Sequence, residues 1–248
     1  YRPLIINSMK LKIHLVIVIF SVIFFSSCST SKKGKHLFIL SGQSNMFRLN
    51  PKESFFPTVL SKFGKNNIIV VKDAMGSQPI SRWYEDWKSP NGASTGNKAD
   101  LYDKLMNKVR DSIENKNIAS VTFIWMQGER DARLEFGAVY EKSLLGLHKQ
   151  VSDDLNRTDV NFIIGRLSDF DMNNEKWPHW TMIRDIQVKV GDSNPFFSWV
   201  NTDDLNDGFN SEGKPIQNDL HMSVEGYKIL GKRFAEKAIQ LISDNVFN

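Results

Sequence analysis

An α/β fold built on a parallel sheet, with helices covering both faces, is what this sequence predicts. Two observations carry that expectation. Short, nearly continuous apolar runs recur along the chain, and longer amphipathic stretches separate them. Strands buried on both faces read as unbroken apolar runs, and parallel neighbours need helical crossovers. A third observation concerns position: several runs end abruptly in polar, glycine-bearing stretches, and open parallel sheets take ligands beyond the carboxyl ends of their strands.

The first strand is "HLFIL" (36–40), four apolar residues in a row. The second is "NIIVV" (67–71), whose β-branched residues suit an extended backbone, and the third is "SVTFIWM" (120–126). "NFIIG" (161–165) and "FFSWV" (196–200) complete a sheet of about five strands. Helices are expected near 53–63, 98–115, 135–156, 177–190 and 223–243, where apolar residues recur at helical spacing.

The residues before this pattern have a different character. Tyr1 to Ser8 read as residues upstream of a start at Met9. A basic segment with Lys10 and Lys12 then leads into an apolar run from Leu15 to Phe25, the layout of a secretory signal. The run is too short to span a bilayer as a helix. Cys28 is the chain's single cysteine, which rules out an internal disulfide. Its place after "FSS" resembles a bacterial lipobox, which implies a lipid anchor on Cys28 and an exported, membrane-anchored lipoprotein at the periplasm or cell surface. Residues 1–27 are thus read as leader, 28–35 as linker and 36–248 as one domain. Without Arg2, Lys10 and Lys12, and with no acid in 1–27, the formal charge of +4 falls to about +1. The sequence pI of about 9.0 is therefore no nucleic-acid footprint.

The strand-end segments carry the chemistry. "LSGQSNMF" (40–47) puts Ser44 where the first strand runs out. A serine hydroxyl is a poor nucleophile without a base within hydrogen-bond reach. Past the leader there are four histidines. His36 lies at the wrong end of its strand, His148 falls in mid-helix, and His179 sits in the Trp-rich "KWPHW". His221, in "NDLHMSVEGY", precedes the last helix on the correct rim and is the candidate base. Acyl transfer also needs donors for a developing oxyanion. The Ser44 N–H, Gly76 in "DAMGSQPISRW" and Gln127 in "WMQGERDA" are available for that, and a glycine lets backbone approach a ligand closely.

"GQSNM", "MGSQPISRW", "WMQGERDA" and "DLHMSVEGYKILGKRFAE" together resemble the SGNH-hydrolase superfamily, and more narrowly its sialate O-acetylesterase-like branch with the acetylxylan esterases of carbohydrate esterase family six. The blocks span Gly42 to Ala235. The resemblance implies a three-layer α/β/α sandwich with a flavodoxin-like sheet. It also implies removal of O-acetyl groups from a sugar by way of an acetyl-serine intermediate, without metal or cofactor. Ser44 would be nucleophile and His221 base then acid, with Ser44 N–H, Gly76 N–H and the Gln127 side chain as oxyanion hole. The position where the branch normally carries the acid that orients the histidine is Asn218 here, with Asp219 next to it. Either Asp219 or Glu129 would have to supply the carboxylate. Arg130 stands where the branch commonly has serine and could meet substrate or an acid. Trp83, Trp87 and Trp180 flank the expected rim and could stack on sugar rings. The partners implied are an acetylated carbohydrate and, through Cys28, a membrane. A second reading, motivated by Asn218, is a non-catalytic glycan-binding lipoprotein on the same scaffold.

Overall fold

The computed structural model describes residues 33–93 and 99–245. The leader, Cys28 and most of the linker lie outside the described residues. Strands β1 (Lys35–Gly42), β2 (Ile68–Ala74), β3 (Ile118–Met126), β4 (Val160–Gly165) and β5 (Phe197–Val200) form one sheet in the order β2-β1-β3-β4-β5. Every pairing in it is parallel. The helices are α1 (Ser44–Arg48), α2 (Phe55–Phe63), α3 (Asp100–Ile113), α4 (Glu129–Arg133), α5 (Gly137–Asp154), α6 (Trp180–Gly191) and α7 (Val224–Asp244). A two-stranded hairpin, β6 (Gly208–Phe209) with β7 (Pro215–Ile216), stands apart from the sheet.

The strand sequences show why the sheet has two covered faces. Successive side chains on a strand point to opposite sides. In β1, Leu37 and Ile39 join a core with Phe123, Trp125 and residues of α3, α5 and α6. Their neighbours Phe38 and Leu40 join a second core with Ile124, Met126 and residues of α2 and α7. Apolar residues at every position of the run are what a three-layer α/β/α arrangement requires. Each fully buried Leu, Ile or Phe contributes about 1.5–3 kcal/mol of transfer free energy.

The chain runs from β1 outward to β2, then returns to the other side of β1 as β3. Direction therefore reverses between β1 and β3, which is where a doubly wound sheet opens a crevice at its carboxyl edge. Gly42 closes β1 against β3. A Cβ there would lie 2.0 Å from Met126 O, and its φ of +140° lies where side chains are rarely tolerated. Only glycine lets Gln43 N reach Met126 O at 2.9 Å and turn the chain into α1.

Candidate active site

Ser44 is the first residue of α1, directly beyond β1, and is partly exposed. The helix is short but braced. Lys72, from β2, donates through Nζ to Phe47 O at 2.8 Å and to Leu49 O at 2.5 Å, satisfying carbonyls at the helix end. Gly76, beyond β2, packs on the serine: a Cβ built there would sit 3.7 Å from Ser44 Cβ. The loop around it is held by Gln78, whose Nε2 donates to Gly76 O at 3.0 Å, and by Arg82, whose Nη1 donates to Gln78 Oε1 at 2.7 Å. Among the described residues no protein acceptor meets the Gly76 N–H. That donor is therefore open beside the serine.

Asn45 ties the serine to the rest of the site. It is buried, its Nδ2 donates to Glu129 Oε1 at 2.8 Å and to Leu220 O at 3.2 Å, and its Oδ1 accepts from the Tyr227 hydroxyl at 2.8 Å. Three elements meet there: the strand-end helix α4, the loop before α7, and α7 itself. Ser44 and His221 are the chain neighbours of Asn45 and Leu220, so this one side chain draws the two loops together. No hydrogen bond links Ser44 to His221 among the described residues. Catalytic hydrogen bonds are often long before substrate binds.

His221 stands two residues ahead of Ser223, whose Oγ accepts from Gly226 N at 3.0 Å and starts α7 as an N-cap. Burial pushes its imidazole below the ordinary value, the Arg48 charge adds to that, and Asp219 opposes both. A neutral ring is what a general base needs. His221 lines a cavity of about 440 Å³ together with Arg48, Asp219, Tyr227 and residues of the hairpin. The other histidines are elsewhere: His36 meets Ser120 Oγ at 2.8 Å, His148 meets Val160 O at 2.9 Å, and His179 Nδ1 accepts from Gly137 N at 3.0 Å.

The two carboxylates that could orient His221 are separated by the structure. Asp219 Oδ1 lies 3.9 Å from His221 Nδ1 and accepts instead from the His221 backbone N–H at 2.8 Å. Glu129 makes no bond to the ring. It is fully buried, its Oε1 serves Asn45, and its Oε2 meets no hydrogen-bond partner among the described residues. Burial lifts its carboxyl to about 7, and the same cause lifts the equally buried Asp131 to about 7. The direct expectation for Glu129 gives way to an indirect one, in which Asn45 stands between it and the histidine loop. Asn218 is turned elsewhere. Its φ is +45°, its N–H donates to Asp207 Oδ1 at 2.6 Å, and its Nδ2 donates to Phe170 O at 3.3 Å. Asparagine tolerates that left-handed turn, so the residue shapes the loop without facing the ring.

Gln127 departs from its expected oxyanion role. It is fully buried, and its Nε2 lies within reach of Gln43 Oε1 at 3.2 Å, Gln78 O at 3.1 Å and Asp131 Oδ2 at 2.5 Å. Two amide hydrogens already serve three acceptors, so none is left to aim at Ser44. Gln127 positions the Gln43 and Gln78 loops instead. The tryptophans are also corrected. Trp83 is buried edge-on against Trp125 at 5.2 Å between ring centroids, and Trp87 is wholly buried. Trp180 is buried with its Nε1 donating to Ser168 O at 2.7 Å. None presents a face to a sugar. Arg130 donates through its backbone N–H to Gln43 Oε1 at 3.1 Å, and its guanidinium makes no ion pair among the described residues.

The sequence reading passed over three residues. Asn45 stood inside the quoted motif, but its role depends on partners far along the chain. Tyr227 likewise closes the quoted "NDLHMSVEGY" block, but its bond to Asn45 depends on distant packing, and Arg48 had no signal beyond its place four residues after Ser44.

The doubly wound sheet thus gathers a serine, an open glycine N–H and a histidine at its switch point. Residues 47–240 match the family described as carbohydrate esterase, sialic acid-specific acetylesterase, and the chain belongs to that family. No curated protein sequence matches it. Among solved structures, it resembles a protein from Arabidopsis thaliana at 18% identity and TM-score 0.61, covering 84% of this chain and 98% of that one. It resembles NanS at 14% identity and TM-score 0.61, covering 86% and 99% respectively. A carbohydrate acetylesterase from Xanthomonas citri shares 16% identity at TM-score 0.62, over 85% of this chain and 57% of that one. At such identities the likeness is one of fold.

Proposed function

We propose that the chain is a serine O-acetylesterase acting on an acetylated sugar, with sialate favoured over acetylxylan by the family's description. The observation that carries this reading is the meeting of Ser44, an open Gly76 N–H packed against it, and the His221 loop drawn in by Asn45. In the first step Ser44 Oγ attacks the acetyl carbonyl carbon while His221 takes the hydroxyl proton. The carbonyl oxygen becomes an oxyanion facing the Ser44 and Gly76 N–H groups, the second of which a side chain would crowd. The carbon–oxygen bond to the sugar then breaks, and His221 returns its proton to the leaving alcohol. Water attacks acetyl-Ser44 with His221 again as base, releasing acetate and the free serine. Asp219 favours the imidazolium that forms in each step, because its charge lies near Nδ1.

The test is acetate release from O-acetylated sialic acid and acetylxylan by the wild type and by Ser44→Ala. Release that vanishes in the variant supports the reading, with the preferred glycan naming the substrate. A folded wild type that releases nothing from either sinks it. Export and lipid anchoring through Cys28 belong to the same proposal. Labelling with radioactive palmitate should mark the wild type and not Cys28→Ala.

A further inference from the structure

Arg48 has a place in the site that the reaction just described does not use. It is exposed, it lines the cavity that holds His221, and among the described residues its guanidinium makes no hydrogen bond or ion pair. Acids are close by, yet each is engaged otherwise. Glu53 accepts from Asn50 Nδ2 at 3.0 Å, Glu212 pairs with Lys214 at 2.7 Å, and Asp219 accepts the His221 N–H at 2.8 Å. A cation left unpaired among three carboxylates is the group free to meet one brought by a ligand.

Its spacing from Ser44 limits what that ligand is. Ser44 and Arg48 are the first and last residues of α1, four positions apart. Such residues share a helix face with Cβ atoms about 5–6 Å apart. The Arg48 charge also reaches both His221 and Tyr227, so it acts inside the site. A carboxylate held by this guanidinium and an ester held over Ser44 would belong to one sugar ring or to its short side chain.

Resting on the esterase reading, we propose that Arg48 is a specificity-determining residue. It receives the carboxylate of an acidic sugar whose O-acetyl group lies over Ser44, and it thereby selects acidic sugars of the sialic acid type over neutral xylan. Planar, bidentate pairing makes arginine suited to this, and lysine would hold the charge without the fork.

Binding tests this separately from turnover. Free sialic acid and its methyl ester would be titrated calorimetrically into Ser44→Ala, and into the same chain with Arg48→Ala or Arg48→Lys added. The acid should bind at least about ten-fold more tightly than the methyl ester, roughly the worth of one charge-assisted bidentate pair. Arg48→Ala should erase that preference and Arg48→Lys should keep part of it. Equal binding of acid and ester, a preference that survives Arg48→Ala, or no binding of either overturns the assignment. If the preference is found while the wild type releases no acetate, the esterase reading fails and the carboxylate site stands.

Discussion

Asn45 Nδ2 lies 2.8 Å from Glu129 Oε1, a hydrogen bond between two buried side chains from the ends of adjacent strands. Leu220 O takes the second amide hydrogen, and the Tyr227 hydroxyl donates to Oδ1. Buried polar networks are stabilising when complete and costly when broken. Asn45→Ala leaves a buried carboxyl and a half-buried hydroxyl without partners. Chemical denaturation should show a loss of about 2–4 kcal/mol. Activity of the fraction that folds should fall mainly in kcat, because the His221 loop loses its tether. A loss below about 0.5 kcal/mol would mean the network is not formed.

The Glu129 carboxyl makes stability pH-dependent in a direction opposite to most acids. Its folded value of about 7 lies above the 4.5 of an unfolded glutamate. The native state therefore keeps a proton that the unfolded chain has released. Stability is greatest below the unfolded value, declines as pH rises toward 7, and levels off above it. Glu129→Gln removes this linkage. The plot of unfolding free energy against pH between 5 and 7 should become shallower by up to about 1.4 kcal/mol per unit. Asp131 contributes a slope of the same sign, since burial raises it from 3.8 to about 7 as well. The half-buried histidines His36, His148 and His221, lowered by burial, add slopes of the opposite sign, so the difference between the two curves carries the test. A Glu129→Gln curve parallel to the wild type would exclude the Glu129 assignment.

The sequence made the scaffold legible and the site only partly so. β1 and β3 were readable because both faces of each strand are buried, which leaves an unbroken apolar run. β6 and β7 have two residues each, too few to show any period. Ser44, Gly76 and His221 could be placed on one rim because each follows a strand end or precedes a helix, and position on the rim follows from topology. Gln127 and the tryptophans were misplaced for the opposite reason. Whether an amide faces a cleft or an indole faces solvent depends on packing from distant elements. Trp180, for example, is buried by α6 turning its face onto the core and finding Ser168 O.

Asp219 and Glu129 can be told apart by pH profiles. Asp219 raises the His221 imidazole against the lowering by burial and Arg48. Removing that charge in Asp219→Asn lowers the imidazole further, so the acid limb of kcat/KM, where the base becomes protonated, should move to lower pH. The maximal rate should fall about ten-fold as the forming imidazolium loses its counter-charge. Glu129→Gln should leave that limb where it is. A shift in Glu129→Gln with none in Asp219→Asn would exchange the two roles.

Two glycines near the serine should respond in opposite ways to the same added methyl group. At Gly42 the new carbon would lie 2.0 Å from Met126 O, at a φ of +140°, and both β1 and β3 are fixed by their cores. Gly42→Ala should therefore fail to fold, or fold with a loss of several kcal/mol. At Gly76 the nearest atom would be Ser44 Cβ at 3.7 Å, an ordinary contact. Gly76→Ala should fold with a stability change below about 1 kcal/mol. Its methyl group would stand beside Ser44 where the oxyanion forms while the N–H stays in place, so kcat should drop by about ten-fold, less than the loss of a whole oxyanion donor. Thermal melts and acetate release on the purified pair check both halves. A Gly76→Ala enzyme with wild-type kcat would mean that the space beside Ser44 tolerates the methyl group and is not where the oxyanion forms, leaving the fold assignment at Gly42 intact.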